Sequence, residues 1–238
     1  MKSVLDIDNL SYIYKTSNSN YEVFLENLNL KKGDICTLTG VSGSGKSTLL
    51  ECIGLLRPKF YAQKFYLDNV DALSLNEEEK AKFRASFIGY MPQSGGLIPY
   101  LTVKENLALQ IKLALGKNYK KDFFKKRLLE MSPLLDRFGM LSKINEKPYS
   151  LSIGQRQRAS FFRALAHNPQ LILIDEPTSA LDPINAHKLF ETIVDCAKSL
   201  NIAVLAVTHE EHLKNDFELL NVSYKANLSS LHKSVFSR

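Results

Sequence analysis

Gly40-Val41-Ser42-Gly43-Ser44-Gly45-Lys46-Ser47-Thr48 reads G-x-x-x-x-G-K-[ST], with a further glycine inside the spacer. The period of the sequence changes across it. Upstream, Asp34-Ile35-Cys36-Thr37-Leu38-Thr39 is a short, largely apolar run with two β-branched threonines, the pattern of a buried strand. Downstream, residues 47–56 repeat apolar side chains at helical spacing and stop before Pro58. A strand, a glycine-rich turn and a helix are the context that gives this motif its meaning. Gly40, Gly43 and Gly45 let the backbone turn with no Cβ in the way. Successive N–H groups then converge on one centre, and the helix start adds its positive dipole end. The product is a cradle for phosphates. Lys46 is expected to reach the terminal phosphates as a point charge, and the Ser47 hydroxyl to ligate a magnesium ion that keeps most of its water shell.

The rest of the chain sets bounds on that expectation. At 238 residues it is long enough for one large α/β domain or two small ones. It contains no run of 18 apolar residues, and Met1-Lys2-Ser3-Val4-Leu5-Asp6 lacks the core of a signal peptide, so a cytoplasmic location is expected. Cys36, Cys52 and Cys196 are far apart in apolar settings, which fits reduced core thiols rather than a disulfide framework or zinc site. The net charge of +6 suits a phosphate-rich partner, whether nucleotide, anionic headgroup or nucleic acid, and equally a lysine-rich solvated surface.

In chain order, residues 1–35 read as antiparallel strands, with runs at 4–14, 21–25 and 27–30 and a turn at 16–20. Residues 65–70 suggest one short strand. Asn76 is placed to cap a helix running to about Ala85, with Glu79 completing a capping box, and residues 87–91 read as a strand ended by Pro92. From about 103 to 147, leucines and phenylalanines recur among many lysines, a helical block inserted between strand-rich halves. The lysine cluster of 117–126 reads as a solvated face rather than a nucleic-acid site, so nucleic acid is not expected there. Residues 171–174 and 202–208 are unbroken apolar runs flanking the helix-patterned 183–200. They predict parallel strands joined by a crossover helix, in one sheet with the strand before the phosphate loop.

Three further stations carry chemistry. Asp175-Glu176-Pro177 follows the first of these apolar runs. A carboxylate at the carboxyl end of a buried strand is where a magnesium ion needs a second anchor, so Asp175 is the expected partner of Ser47, and Glu176 stands where it would polarise an attacking water. His209 follows the second run, and it is expected on the same sheet edge as Asp175, where its imidazole would hydrogen-bond a terminal phosphate. Ser152-Ile153-Gly154-Gln155 opens a helical pattern, a second anion-binding helix start with Ser152 as its cap.

The ordered set of residues 40–48, Gln93, Ser152-Ile153-Gly154-Gln155, Ile174-Asp175-Glu176-Pro177, Ser179-Ala180-Leu181-Asp182 and His209 resembles the nucleotide-binding domain of ATP-binding cassette (ABC) transporters over nearly the whole chain. The resemblance implies an α/β fold: a P-loop NTPase (RecA-like) core with a mostly parallel sheet, an N-terminal antiparallel β subdomain and an inserted α-helical subdomain. It implies one domain over 1–238, with core lobes at 1–93 and 160–238 and the helical subdomain at 94–159. ATP and Mg2+ are the implied cofactors. In that family pattern Glu176 is the general base, assisted by His209, Gln93 and Lys46, and the metal is met by Ser47, Gln93 and Asp175. Tyr14 is the aromatic that stacks on adenine, ahead of Tyr12, and residues 40–48 hold the phosphates. Ser152, Gly154, Gln155 and Asp182 complete the site of a second copy, so a homodimer with two sandwiched ATP molecules is implied.

The same resemblance implies a membrane permease docking near Gln93 and residues 97–102, and a peripheral position on the inner face of the membrane. Residues 89–93 and 97–106 are similar to the lipoprotein-release, macrolide-export and cell-division group. A cassette that signals through a membrane partner without moving a solute would carry the same machinery. A DNA-repair or translation cassette usually adds coiled coils, zinc modules or a second cassette, and the sequence shows none of these. Two residues or segments depart from the family pattern: Ile153 stands where a signature glycine is common, and residues 60–64 stand where a Ser-Gly turn is usual.

Overall fold

A computed structural model describes residues 3–15, 20–208, 220–226 and 233–237. Four strands form its parallel core: β3 (Ile35–Thr39), β6 (Ile88–Met91), β7 (Leu171–Asp175) and β8 (Ala203–Val207). Every residue of β3, β7 and β8 is buried, as the unbroken apolar runs require of strands covered on both faces. Alternate residues serve opposite faces. Leu171, Leu173, Leu205 and Val207 join one core cluster, whereas Ile172, Ile174, Val204 and Ala206 join the other. Burying each such leucine or isoleucine contributes about 1.5–3 kcal/mol against the entropy of ordering the chain.

The N-terminal strands merge into two long ones, β1 (Ser3–Lys15) and β2 (Asn20–Lys31), paired antiparallel. The turn expected at 16–20 falls largely on 16–19, outside the described residues. The single strand expected at 65–70 is instead a hairpin of β4 (Lys64–Leu67) and β5 (Val70–Asp71), because Asp68 takes a left-handed φ of 55° and reverses the chain. β9 (Leu220–Ala226) and β10 (Lys233–Ser237) lie between β2 and β3. The strand order is β5-β4-β1-β2-β10-β9-β3-β8-β7-β6, one continuous ten-stranded sheet among the described residues.

Helices cover both faces. α1 (Lys46–Ile53) follows the phosphate loop and stops at Gly54, short of the expected Leu56. α2 (Glu77–Phe87) carries the expected capping box of Asn76 and Glu79 and extends through Phe87, which therefore belongs to the helix rather than to β6. The inserted block contains α3 (Val103–Leu115) and α4 (Lys121–Arg137), and these pack on α5 (Ile153–Leu165) through Leu107, Ile111, Met131, Leu135, Phe161 and Phe162. α6 (Pro183–Leu200) is the crossover between β7 and β8, started by Asp182 as cap with Pro183 in its first turn. The lysines at 117, 120, 121, 125 and 126 are all exposed, and Cys36, Cys52 and Cys196 are buried free thiols. No described helix is long and apolar enough to cross a membrane.

Candidate functional site

The site forms where β3, β6 and β7 end on one edge of the sheet, as the ligand sites of open parallel sheets do. The loop between β3 and α1 turns through Gly43 (φ 78°) and Gly45 (φ 96°). A Cβ on Gly45 would stand 2.5 Å from Val23 Cγ2, so both the dihedral and the close approach of β2 demand glycine there. Lys46, buried at the start of α1, donates from Nζ to the carbonyls of Gly40 (2.8 Å) and Val41 (2.9 Å). Burial pulls its ammonium below the ordinary lysine value, and the carboxylates of Glu176 and Asp175 oppose that shift.

Ser47 Oγ donates to Asp175 Oδ1 at 2.9 Å, so residues 128 apart in sequence meet as their chemistry predicts. Burial raises the Asp175 carboxyl above the usual aspartate value; the bond from Ser47 lowers it, and the negative charges of Glu176 and Glu51 add to the rise. Gln93, just beyond Pro92 at the end of β6, donates from Nε2 to Glu176 Oε2 at 3.0 Å. Glu176 itself is held at a left-handed φ of 45°, with its N–H bonded to Val207 O at 3.0 Å. A non-glycine residue in that region is strained, and such strain concentrates at functional positions.

Lys46, Ser47, Gln93 and Glu176 line a cleft of about 430 Å³ together with Ser42, Thr48, Tyr14 and Tyr21, and Asp175 joins it through its bond from Ser47. Tyr14 is hydrogen-bonded through its hydroxyl to Thr48 Oγ1 at 2.5 Å. Tyr21, directly across the β1–β2 ladder from Tyr14, has its hydroxyl bonded to that of Ser234 on β10. Sequence reasoning missed Tyr21; the pairing of strands on either side of the 16–20 turn was the signal that would have found it. The hydroxyl of Ser44 is buried, and among the described residues it has no hydrogen-bond partner.

Ser152, Gly154, Gln155 and Asp182 lie outside this cleft. Ser152 caps α5 in a complete capping box: Gln155 N donates to Ser152 Oγ at 3.2 Å and Ser152 N donates to Gln155 Oε1 at 2.9 Å. Gly154 is buried against Asn185 near the start of α6, where a Cβ would come 3.2 Å from Asn185 Oδ1. Asp182 accepts from Asn185 N at 3.0 Å. The two helix starts thus form one rigid corner, with Ile153 half exposed at its tip. His209 lies outside the described residues.

No cluster of three or more His, Cys, Asp or Glu side chains that could hold a metal occurs among the described residues. The Ser47 hydroxyl and Asp175 carboxylate are hard oxygen donors that suit magnesium, provided further oxygens come from a phosphate and water. The orphaned Ser44 hydroxyl fits the same anionic occupant.

The sequence model of a family described as ABC transporter matches residues 26–179. An uncharacterized ABC transporter ATP-binding protein of Methanocaldococcus jannaschii is 36% identical over 211 residues, 87% of each chain. A solved dimeric structure of an ATP-binding cassette in a post-hydrolysis state, bound to ADP and Pi, superposes with a TM-score of 0.71 at 33% identity over 88% of this chain and 89% of that one. The lipoprotein-releasing system ATP-binding protein LolD of Acinetobacter baylyi is 36% identical over 214 residues, 89% of this chain and 91% of that protein. The methionine import ATP-binding protein MetN 1 of Oceanobacillus iheyensis is 40% identical over 185 residues, and there the chain spans only about half (52%) of the relative's length. With that extent of similarity, and with a phosphate-loop helix facing two strand-end carboxylates, the chain belongs to the ABC transporter family as one of its ATP-binding, ATP-hydrolysing subunits.

Proposed function

We propose that the cleft is one half of a composite ATPase site that drives a separate membrane permease, in the lipoprotein-release, macrolide-export and cell-division group. The observation that carries the site assignment is the pair of contacts Ser47–Asp175 and Gln93–Glu176, side by side at the carboxyl ends of the parallel strands. Residues 40–48 hold the phosphates, with Lys46 turning from the loop carbonyls toward the terminal phosphate. Ser47, Asp175 and Gln93 would hold Mg2+, whose charge would offset that of the phosphates. Glu176 takes a proton from the attacking water, Gln93 keeps that carboxylate aimed, and His209 supports the terminal phosphate. Tyr14 stacks on the base.

Ser152, Gly154, Gln155 and Asp182 act on the opposite copy in a homodimer. Supporting this, the corner they build carries exposed apolar side chains, Ile153 and Ile184, and the phosphate loop presents Val41. We assign residues 1–93 and 160–238 to the nucleotide-binding lobe and 94–159 to the helical subdomain. Between them runs a groove of about 500 Å³ whose walls include Pro92 and Gly96, on either side of Gln93, and the exposed Leu56 and Leu113. A helix of the permease fits that groove, contacting residues 97–102, and holds the subunit on the inner face of the membrane. The similarity to LolD along most of both chains supports the export and lipoprotein-extraction reading. Affinity purification of the full chain from detergent-solubilised membranes is the test: a polytopic membrane protein that stimulates ATP hydrolysis is expected, and co-purifying ribosomes or nucleic acid would overturn it.

A further inference from the structure

Arg57 lies three residues beyond the Gly54 cap of α1, outside every motif of the sequence. Its guanidinium carbon is 5.0 Å from the ring centroid of Tyr12 and 5.4 Å from that of Tyr14, and the two rings meet edge to face at 4.9 Å. Nε donates to Glu51 Oε2 at 2.5 Å, and Nη1 donates to the Tyr12 hydroxyl at 3.4 Å. Glu51 is on α1, one turn beyond Ser47. Tyr14 lines the phosphate cleft, whereas Tyr12 and Arg57 are not among its lining residues. Tyr14 is therefore held by the edge-to-face contact with Tyr12, by the guanidinium over its ring, and by Thr48 at its hydroxyl. Two of those three attachments lead back to α1 or its immediate continuation.

We propose that Arg57 is a positioning residue for the nucleobase: it clamps the Tyr12–Tyr14 pair so that the cleft-facing side of Tyr14 is presented to a purine, and through Glu51 it ties that platform to the phosphate-loop helix. The proposal rests on Tyr14 being the base-stacking residue. A tyrosine on a strand that ends beside the cleft would otherwise lose rotamer freedom each time it met a base; a side chain already immobilised in the free protein binds with less entropic loss. The guanidinium suits this task better than an ammonium, because its delocalised charge reaches the faces of both rings while its N–H edge still pairs with a carboxylate. The arrangement couples base recognition to the helix that carries Lys46 and Ser47, so the base and phosphate ends of the nucleotide meet one rigid unit.

The test separates base from phosphate binding. Dissociation constants for ATP and for inorganic tripolyphosphate, each with magnesium, are measured on the full chain carrying Glu51→Gln with Arg57→Gln, so that no carboxylate is left unpaired. Relative to Glu51→Gln alone, the double variant is expected to weaken ATP about 3- to 10-fold and raise KM to match, with tripolyphosphate affinity and kcat changed by less than about twofold. Arg57→Lys, which keeps the charge and loses the planar stack, should fall between. Tyr14→Ala should cost ATP affinity at least as much, and adding it to the Arg57 change should cost little more. Equal losses for ATP and tripolyphosphate, or no loss for ATP in either Arg57 variant, would overturn the positioning role. If Tyr14→Ala itself leaves the preference for ATP over tripolyphosphate intact, the base-stacking assignment fails as well.

Discussion

Asp175 shows what the site costs the free protein. Its carboxyl is buried and lies near Glu176 and Glu51, so its pKa in the folded chain stands above the ordinary aspartate value. The folded state then holds the proton more tightly than the unfolded chain. The stability from this group is present at low pH and is lost as pH rises through the raised value. Asp175→Asn is therefore expected to be more stable than the parent at about pH 7 without nucleotide or metal, with the gain vanishing below about pH 4. Its ATP hydrolysis should fall more than about 100-fold, because the proposed metal anchor is gone. Urea midpoints across that pH range, with a parallel ATPase assay, check both; a variant less stable at neutral pH contradicts the electrostatic reading. The meeting of Ser47 with Asp175 was legible in the sequence because motif chemistry demands it. Tyr21 was legible only through the pairing of the strands on either side of the 16–20 turn, and Arg57 was not legible at all, since ring packing puts it there and no local pattern records it.

At the scale of elements, periodicity and caps told most of the story. The buried strands β3, β7 and β8 and the capping box at Asn76 stood out because burial on both faces and cap chemistry leave local marks. The β4–β5 hairpin did not, because its reversal depends on a single left-handed aspartate. Neither did the insertion of β9 and β10 between the two halves of the sheet, a long-range pairing with no local signature. Asn106 is another case. Buried on α3, it accepts from Ile98 N at 2.8 Å, and its Nδ2 donates toward the carbonyls of Ile98, Leu101 and Thr102 at 2.9–3.2 Å. It thus staples the loop 97–102, whose Tyr100 is 71% exposed. Asn106→Ala should cost about 2–3 kcal/mol of stability and release that loop. Assembly with the membrane partner should then fall further than the intrinsic ATPase rate; chemical denaturation and co-purification measure the two, and equal losses would assign Asn106 to stability alone.

For the whole molecule, the decisive arrangement is separation: the phosphate cleft lies in one place, and the corner of Ser152, Gly154 and Asp182 lies in another. In the proposed homodimer a second copy would reconcile them. Ile153, the first residue of α5 and 48% exposed, would then stand between copies. Replacing it by glycine removes a β-branched side chain without touching the phosphate loop. Ile153→Gly is expected to leave ATP affinity of the monomer unchanged and to alter turnover at dimer-forming concentrations, which nucleotide titration and concentration-dependent ATPase rates would read. An unchanged rate would mean that the side chain makes no difference in the assembled site.

Hydrolysis at Glu176 in a dimeric site is tested most directly by one variant. Glu176→Gln preserves the shape of the side chain and removes its basicity. Nucleotide binding, ATP turnover and molecular mass in solution with ATP and magnesium should show retained affinity, turnover reduced more than about 100-fold, and accumulation of an ATP-bound dimer. Undiminished turnover in Glu176→Gln would contradict the assignment of the base and, with it, the proposed mechanism.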